Sequence, residues 1–140
     1  MIILDTNVVS EASRQQPDSN CVAWLVGHGP DALFLTDMSI MELTFGAERF
    51  RLRTGSTRHT NSLKNLVEIQ YFGRILRWDE PAVQLAGLLM ARREKAGFSM
   101  TVQDAIIAAI CLSHGAILAT RNTKDFEGLD LALVNPFEDA

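Results

Sequence analysis

The chain has 140 residues, enough for one domain with a single core, and its 47% hydrophobic and 21% charged composition excludes a disordered polyelectrolyte. No apolar run approaches the roughly 20 residues that span a bilayer, so no membrane segment is expected. The formal charge of −4 excludes a uniformly basic nucleic-acid binder, but residues 49–77 carry seven Lys or Arg against the single acid Glu68, a local +6 beside −10 elsewhere. Such a split suits a polyanion on one side of the molecule and cations on another.

In chain order, the apolar residues 2–4 read as a short buried strand that ends at Asp5-Thr-Asn, a turn- and cap-forming triplet that starts a helix through about Arg14. MIIL runs into Asp5 without a basic region, so no secretory leader is expected. Asn20 is placed as the cap of a second helix over VAWLVG, and LFLT (33–36) as the next strand. A helix from about Met38, with Thr36, Asp37 or Ser39 as cap, turns Ile40, Leu43, Ala47 and Phe50 to one face. Polar residues 53–59 read as a loop before a helix over about 60–71, and RILRW (74–78) as a third strand. Glu80-Pro81 opens a helix to about Lys95, with Gly97 at its end. Thr101 opens another, and AILAT (116–120) and LALVN (131–135) complete a set of about five strands. Short apolar strands alternating with helices imply one domain over residues 1–140, a three-layer α/β/α sandwich around a mostly parallel sheet. Cys21 and Cys111 have no metal-ligand or redox spacing, which argues against zinc and fits a reducing cytoplasm.

The most informative residues are three carboxylates alone in uncharged, largely apolar stretches: Asp5, Glu42 and Asp104. An isolated carboxylate among core-forming residues is costly without a cation. Asp5 sits at a strand's carboxyl end, where open parallel sheets bind ligands. Glu42 follows a strand by six residues and can overhang the same edge, while Asp104 falls in the first turn of its helix. Thr120, Asn122 and Asp125 follow another strand at once. Oxygen-only donors suit a hard cation such as Mg²⁺ or Mn²⁺, and an ion so held can activate water against a phosphodiester.

Each residue also has a purely structural reading. Asp104 completes a Thr-x-x-Asp capping pattern with Thr101, Asp5 can cap the first helix, Glu42 can pair with an arginine such as Arg121, and Asp125 can serve a turn. Arg49, Arg51, Arg53 and Arg58 read either as a solvated helix end or as phosphate contacts, and Trp24, Phe45, Phe50 and Phe72 as core or interface.

LDTNVVSE (4–11), SIMELTFG (39–46), TVQDAIIAA (101–109) and ATRNTKDF (119–126), in this order, closely resemble the PIN-domain ribonucleases of the VapC and FitB type. The resemblance spans essentially the whole chain. It implies the sandwich fold and an Mg²⁺- or Mn²⁺-dependent endoribonuclease, the toxin of a toxin–antitoxin module. Asp5 and Asp104 would be metal ligands with Glu42 completing an acidic triad, and Thr6, Asn7, Thr120 and Asn122 would orient carboxylates, waters or phosphate. It also implies a homodimer and an antitoxin whose tail fills the acidic cleft, often with an arginine. One departure stands out: the family's frequent fourth acid, directly after the Thr-Arg of the last motif, is Asn122 here, with Asp125 as a possible substitute. A PIN-like module that only binds RNA or a protein is the alternative outside catalysis. An aspartyl-phosphate phosphatase would need a second Asp where this chain has Asn7.

Overall fold

The computed structural model describes residues 1–138. The chain runs β1 (Ile2–Leu4), α1 (Thr6–Ala12), α2 (Ser19–Val26), β2 (Leu33–Thr36), α3 (Asp37–Thr54), α4 (Arg58–Asn65), β3 (Ile75–Leu76), α5 (Glu80–Lys95), α6 (Val102–Ser113), β4 (Ile117–Ala119) and β5 (Leu133–Val134). All strand pairings are parallel, in the order β3-β2-β1-β4-β5. The chain builds outward from β1 on one side through β3, then returns to add β4 and β5 on the other. The strand order therefore reverses between β1 and β4, which makes their carboxyl ends the expected ligand edge.

Two apolar layers cover the sheet. Ile3 and its register partner Leu118 face α5 and α6, where Ala86, Leu89 and the all-apolar run Ala105–Cys111 are buried. Leu4 and its partner Ala119 face the other way, with Leu35, Val8, Val9 and Cys21. The period-2 alternation of short strands thus feeds both cores, and the expected α/β/α sandwich is present.

The local departures have simple causes. Asp18, not Asn20, caps α2, because its Oδ1 accepts the Cys21 N–H at 3.0 Å; the Asn20 amide instead donates to the Phe137 carbonyl at 3.2 Å. The expected loop over 53–59 shrinks to residues 55–57. Arg53 and Thr54 still belong to α3, which ends on Gly55 at φ 77°, a left-handed conformation that favours glycine, with its N–H on the Arg51 carbonyl at 2.7 Å. β3 is two residues long, held from its edge by the Arg74 guanidinium, which donates to the carbonyls of Pro30, Leu33 and Gln70. Phe45 and Phe72 are 64% and 79% exposed and are not core, whereas Trp24 packs against the cluster of Leu4 and Cys21. Among the described residues, no helix is long and apolar enough to cross a membrane.

Candidate functional site

Asp5 leaves β1 at the reversal point and is only 6% exposed. Its backbone N–H still joins the sheet, on the Ala119 carbonyl at 2.9 Å, so its carboxylate is fixed at the strand edge. Oδ1 accepts the Thr6 N–H at 2.8 Å, which is the cap of α1. Oδ2 accepts the hydroxyl of fully buried Thr120 at 2.8 Å and the Asn7 amide at 3.4 Å. Capping and site chemistry are therefore carried by different oxygens of one side chain. Burial pushes the Asp5 pKa up, while Thr120, Thr6 and Asn7 pull it down by hydrogen bonding to the charged form, and nearby Asp125 pushes it up again.

Asn7 links the two strand ends. Its amide reaches Asp5 and also Thr120 (3.4 Å), and its Oδ1 accepts the Arg121 N–H at 3.1 Å. Thr120 Oγ1 in turn accepts the Asn122 N–H at 3.1 Å, so one hydroxyl orders both Asp5 and the turn that follows β4.

Glu42 lies on α3 behind a set of buried hydroxyls. Thr36 caps this helix by accepting the Ser39 N–H at 3.2 Å, and Thr6 Oγ1 stands 3.1 Å from both Ser39 Oγ and Glu42 Oε1. A hydroxyl has one proton, so Thr6 serves one acceptor at a time and Ser39 can supply the other hydrogen bond. Burial raises the Glu42 pKa, the Thr6 hydroxyl lowers it, and the Asp5 charge raises it. Among the described residues Glu42 has no arginine within salt-bridge distance: Arg121 instead lies over the Phe137 ring, 4.5 Å from its centroid.

Asp104 enters from α6. Thr101 caps this helix by accepting the Asp104 N–H at 3.1 Å, so Asp104 contributes to the cap through its backbone. Its pKa rises from 3.8 to about 6, first from burial and then from the Asp5 charge; Asp125 and Glu42 add to the rise and Thr101 opposes it. That mutual repulsion brings Asp5, Glu42, Asp104 and Asp125 into one electrostatic site. Asn122 and Asp125 are exposed, at the two ends of a tight turn closed by the Asp125 N–H on the Asn122 carbonyl at 3.0 Å.

Two supporting residues were not visible in the sequence. Ser39 joins Thr36 to Thr6, which only the packing of α1 against α3 brings about. Arg93 on α5 is 7% exposed and braces the turn from behind, donating to the Glu127 carbonyl and to the Asp125 carbonyl at 3.3 Å while its guanidinium covers Phe98. Nothing in the local sequence distinguishes it from neighbouring Arg92.

The donor set fits a hard cation. Asp5 uses three hydrogen bonds and a carboxylate offers about four acceptor positions, so one stays available for an ion. The raised pKa of Asp104 is what clustered, half-buried carboxylates show before a cation neutralises them. Among the described residues, no three acidic, His or Cys side chains close on one point.

The four candidate arginines divide. Arg49, Arg53 and Arg58 line a groove of about 1130 Å³ between α1, α3 and α4, whose end is formed by Thr6 and Glu42. Arg51 points elsewhere and pairs with Glu48, Nε to Oε2 at 3.0 Å. Helix phase explains the split: 49 and 53 are one turn apart, and 51 lies on the far side.

Residues 2–130 match the PIN domain family. The chain is 35% identical to the VapC ribonuclease Y4jK of Sinorhizobium fredii over the full length of both. It is 33% identical to the toxin FitB of Neisseria gonorrhoeae, over 99% of this chain and 100% of that protein. Among solved structures, FitAcB from Neisseria gonorrhoeae superposes with a TM-score of 0.85 at 32% identity, covering 99% of both chains.

Proposed function

The chain belongs to the PIN domain family, and from that premise we propose that it is a metal-dependent endoribonuclease, the toxin of a toxin–antitoxin pair. The observation that carries the reading is the carboxylate edge: Asp5 is fixed at the end of β1 by Thr120 at 2.8 Å and the Thr6 N–H at 2.8 Å, the Thr6 hydroxyl lies 3.1 Å from Glu42, and Asp104 opens α6 near enough for these carboxylates to add to the rise of its pKa. Such a cluster is electrostatically incomplete without a cation. The names of the relatives, a VapC ribonuclease and the toxin FitB, support the choice of RNA and of a toxin.

In this reading Asp5 and Asp104 hold Mg²⁺, with Mn²⁺ as substitute, and Glu42 supports the ion directly or through water. The bound ion supplies an acidified, oriented water and neutralises charge on a phosphoryl oxygen. The chain's own groups do the rest. Thr120 and Thr6 favour the charged form of Asp5 by hydrogen bonding to it and so limit the rise in its pKa that burial causes. The Thr6 hydroxyl does the same for Glu42. Asp104 holds a proton at its carboxylate near and below pH 6 and is ionised above it, so cation binding and cleavage should rise with pH through that range. Asn122 offers a neutral oxygen beside the cluster where related sequences carry an acid, which favours one metal over two. Asp125, on the same turn, adds a negative charge that acts on both Asp5 and Asp104.

Partners follow from the same chemistry. An antitoxin arginine placed among Asp5, Glu42 and Asp104 would satisfy the oxygens that otherwise take the ion, through planar paired hydrogen bonds. The similar solved structures carry the names FitAcB and FitAB where the relative by itself is the toxin FitB, which supports a protein partner for this chain. A second copy would cover Met41, Phe45 and Leu52, which leave an exposed apolar stripe along α3.

The test is RNA cleavage by antitoxin-free protein. Cleavage should need Mg²⁺ or Mn²⁺, stop in excess EDTA, and fall by at least about a hundredfold in Asp5→Asn. Undiminished cleavage in EDTA, or by Asp5→Asn, would overturn the reading. Binding of Mn²⁺ with no cleavage of any RNA would favour the non-catalytic module, for which uncharged Asn122 is the motive.

A further inference from the structure

We infer that the groove between α1, α3 and α4 is a track for the phosphates of single-stranded RNA, leading away from the carboxylate cluster; the inference rests on the nuclease reading of that cluster. Along α3, Glu42, Gly46, Arg49 and Arg53 repeat at spacings of four, three and four, so they form one face and become the groove floor. A Cβ at Gly46 would meet nothing within 4 Å, so the floor there is open between the acidic end and the basic end. Glu42 to Arg53 spans about 16 Å along the helix axis, a length of about two or three nucleotides of extended strand.

The basic end is built for an anion. Arg53 and Arg58 both lie 5.5 Å from the centroid of the same Phe50 ring, and His59 meets that ring edge-on at 4.5 Å. Stacking on an aromatic holds a guanidinium in place without neutralising it. Among the described residues, Arg49, Arg53 and Arg58 have no carboxylate within salt-bridge distance. Arg14, on the opposite wall, is already paired with buried Glu11 at 3.3 Å and adds little. Three unmatched cations on one wall, with aromatic support, describe a channel that follows a backbone rather than reading bases. Because the groove ends at Thr6 and Glu42, its occupant is continuous with whatever occupies the carboxylate cluster. The acidic end repels phosphate until a cation is bound, and the arginines supply the attraction that the cluster lacks.

The experiment measures binding of a short fluorescein-labelled single-stranded RNA by anisotropy, in EDTA so that no turnover occurs, across about 50 to 200 mM salt. Combining Arg49→Gln, Arg53→Gln and Arg58→Gln should weaken binding about tenfold or more at low salt and flatten the log–log salt slope by about 2, from about 0.7 per lost cation. The three Lys replacements should restore most of the slope, and Arg51→Gln, paired outside the groove with Glu48, should bind like the native chain. Native affinity and slope in the Gln variant would overturn the track, as would an equal loss in Arg51→Gln. Equal arginine dependence for the same RNA annealed into a duplex would overturn the single-strand assignment. A Gln variant that keeps RNA and loses only the antitoxin would make the groove a protein seat instead. Arginine-dependent binding without cleavage on adding Mg²⁺ would sink the nuclease reading and leave the track standing; cleavage with unchanged binding would do the reverse.

Discussion

The carboxylate edge and the arginine groove meet at Glu42, yet they are held by opposite means. At the edge, Asp5 and Asp104 are at least half-buried, their charges oppose one another, and their pKa values are pushed up. In the groove, Arg49, Arg53 and Arg58 are exposed, lie on aromatic rings and cost the fold little. The contrast teaches where function opposes stability. A half-buried acidic cluster destabilises the fold that carries it, whereas exposed cations on a helix face are close to neutral for stability and act through their field.

Three sets of substitutions put this contrast at risk. The largest effect is expected from Thr120→Val, which keeps the shape but removes the 2.8 Å hydrogen bond to a buried carboxylate and leaves the Asn122 N–H without its acceptor. Unfolding in urea with EDTA present should show a loss of about 2 kcal/mol at neutral pH. Thr120 lowers the Asp5 pKa, so its contribution is present when Asp5 is ionised and fades as acid protonates it; an equal loss at all pH values would mean that Thr120 only packs.

A gain is expected from Asp104→Asn. The folded pKa is about 6 against an ordinary 3.8, so the native carboxyl contributes stability below 3.8 that is lost as pH rises through about 6. Removing the charge should therefore stabilise the metal-free protein by about 1 kcal/mol above pH 6, after allowance for solvent screening, and should give no gain near pH 4. Calorimetry at both pH values checks this, and a loss of stability at pH 7.5 would refute burial and repulsion of the charged carboxylate as the source of the shift. The smallest effect belongs to the groove: Arg49→Gln, Arg53→Gln and Arg58→Gln should each change unfolding free energy by less than about 0.5 kcal/mol. A larger loss in any of them would show that the groove wall is structural and erase the difference between the two regions.

Much of the site is local, and that part is legible in the sequence. Asp5 at a strand end, Thr101 directly before the helix that contains Asp104, and Thr36 ahead of α3 are signals within a few residues, because caps and strand ends are made by near neighbours. The arginine split was also local. Extending α3 to Thr54 would have put Arg51 beside Glu48 and away from Arg49 and Arg53, but polar residues before Gly55 looked like a loop. The cap of α2 was missed for a similar reason, since Asp18 and Asn20 are both good caps and only the docking of Asn20 on the Phe137 carbonyl decides between them.

By itself the amino-acid sequence determined the alternation of short apolar strands with helices and the isolation of Asp5, Glu42 and Asp104 in uncharged surroundings, because hydrophobic periodicity and capping are short-range; the expected single core is instead two apolar layers, one on each face of the sheet. Only the tertiary structure decided which groups those carboxylates meet. Thr120 reaches Asp5 across 115 residues of chain, Thr6 reaches Glu42 across 36, and Arg93 braces the Asp125 turn from another layer. Those partners are set by strand order and by the faces on which helices pack, and a hydroxyl or guanidinium carries no local mark of the distant oxygen it will serve.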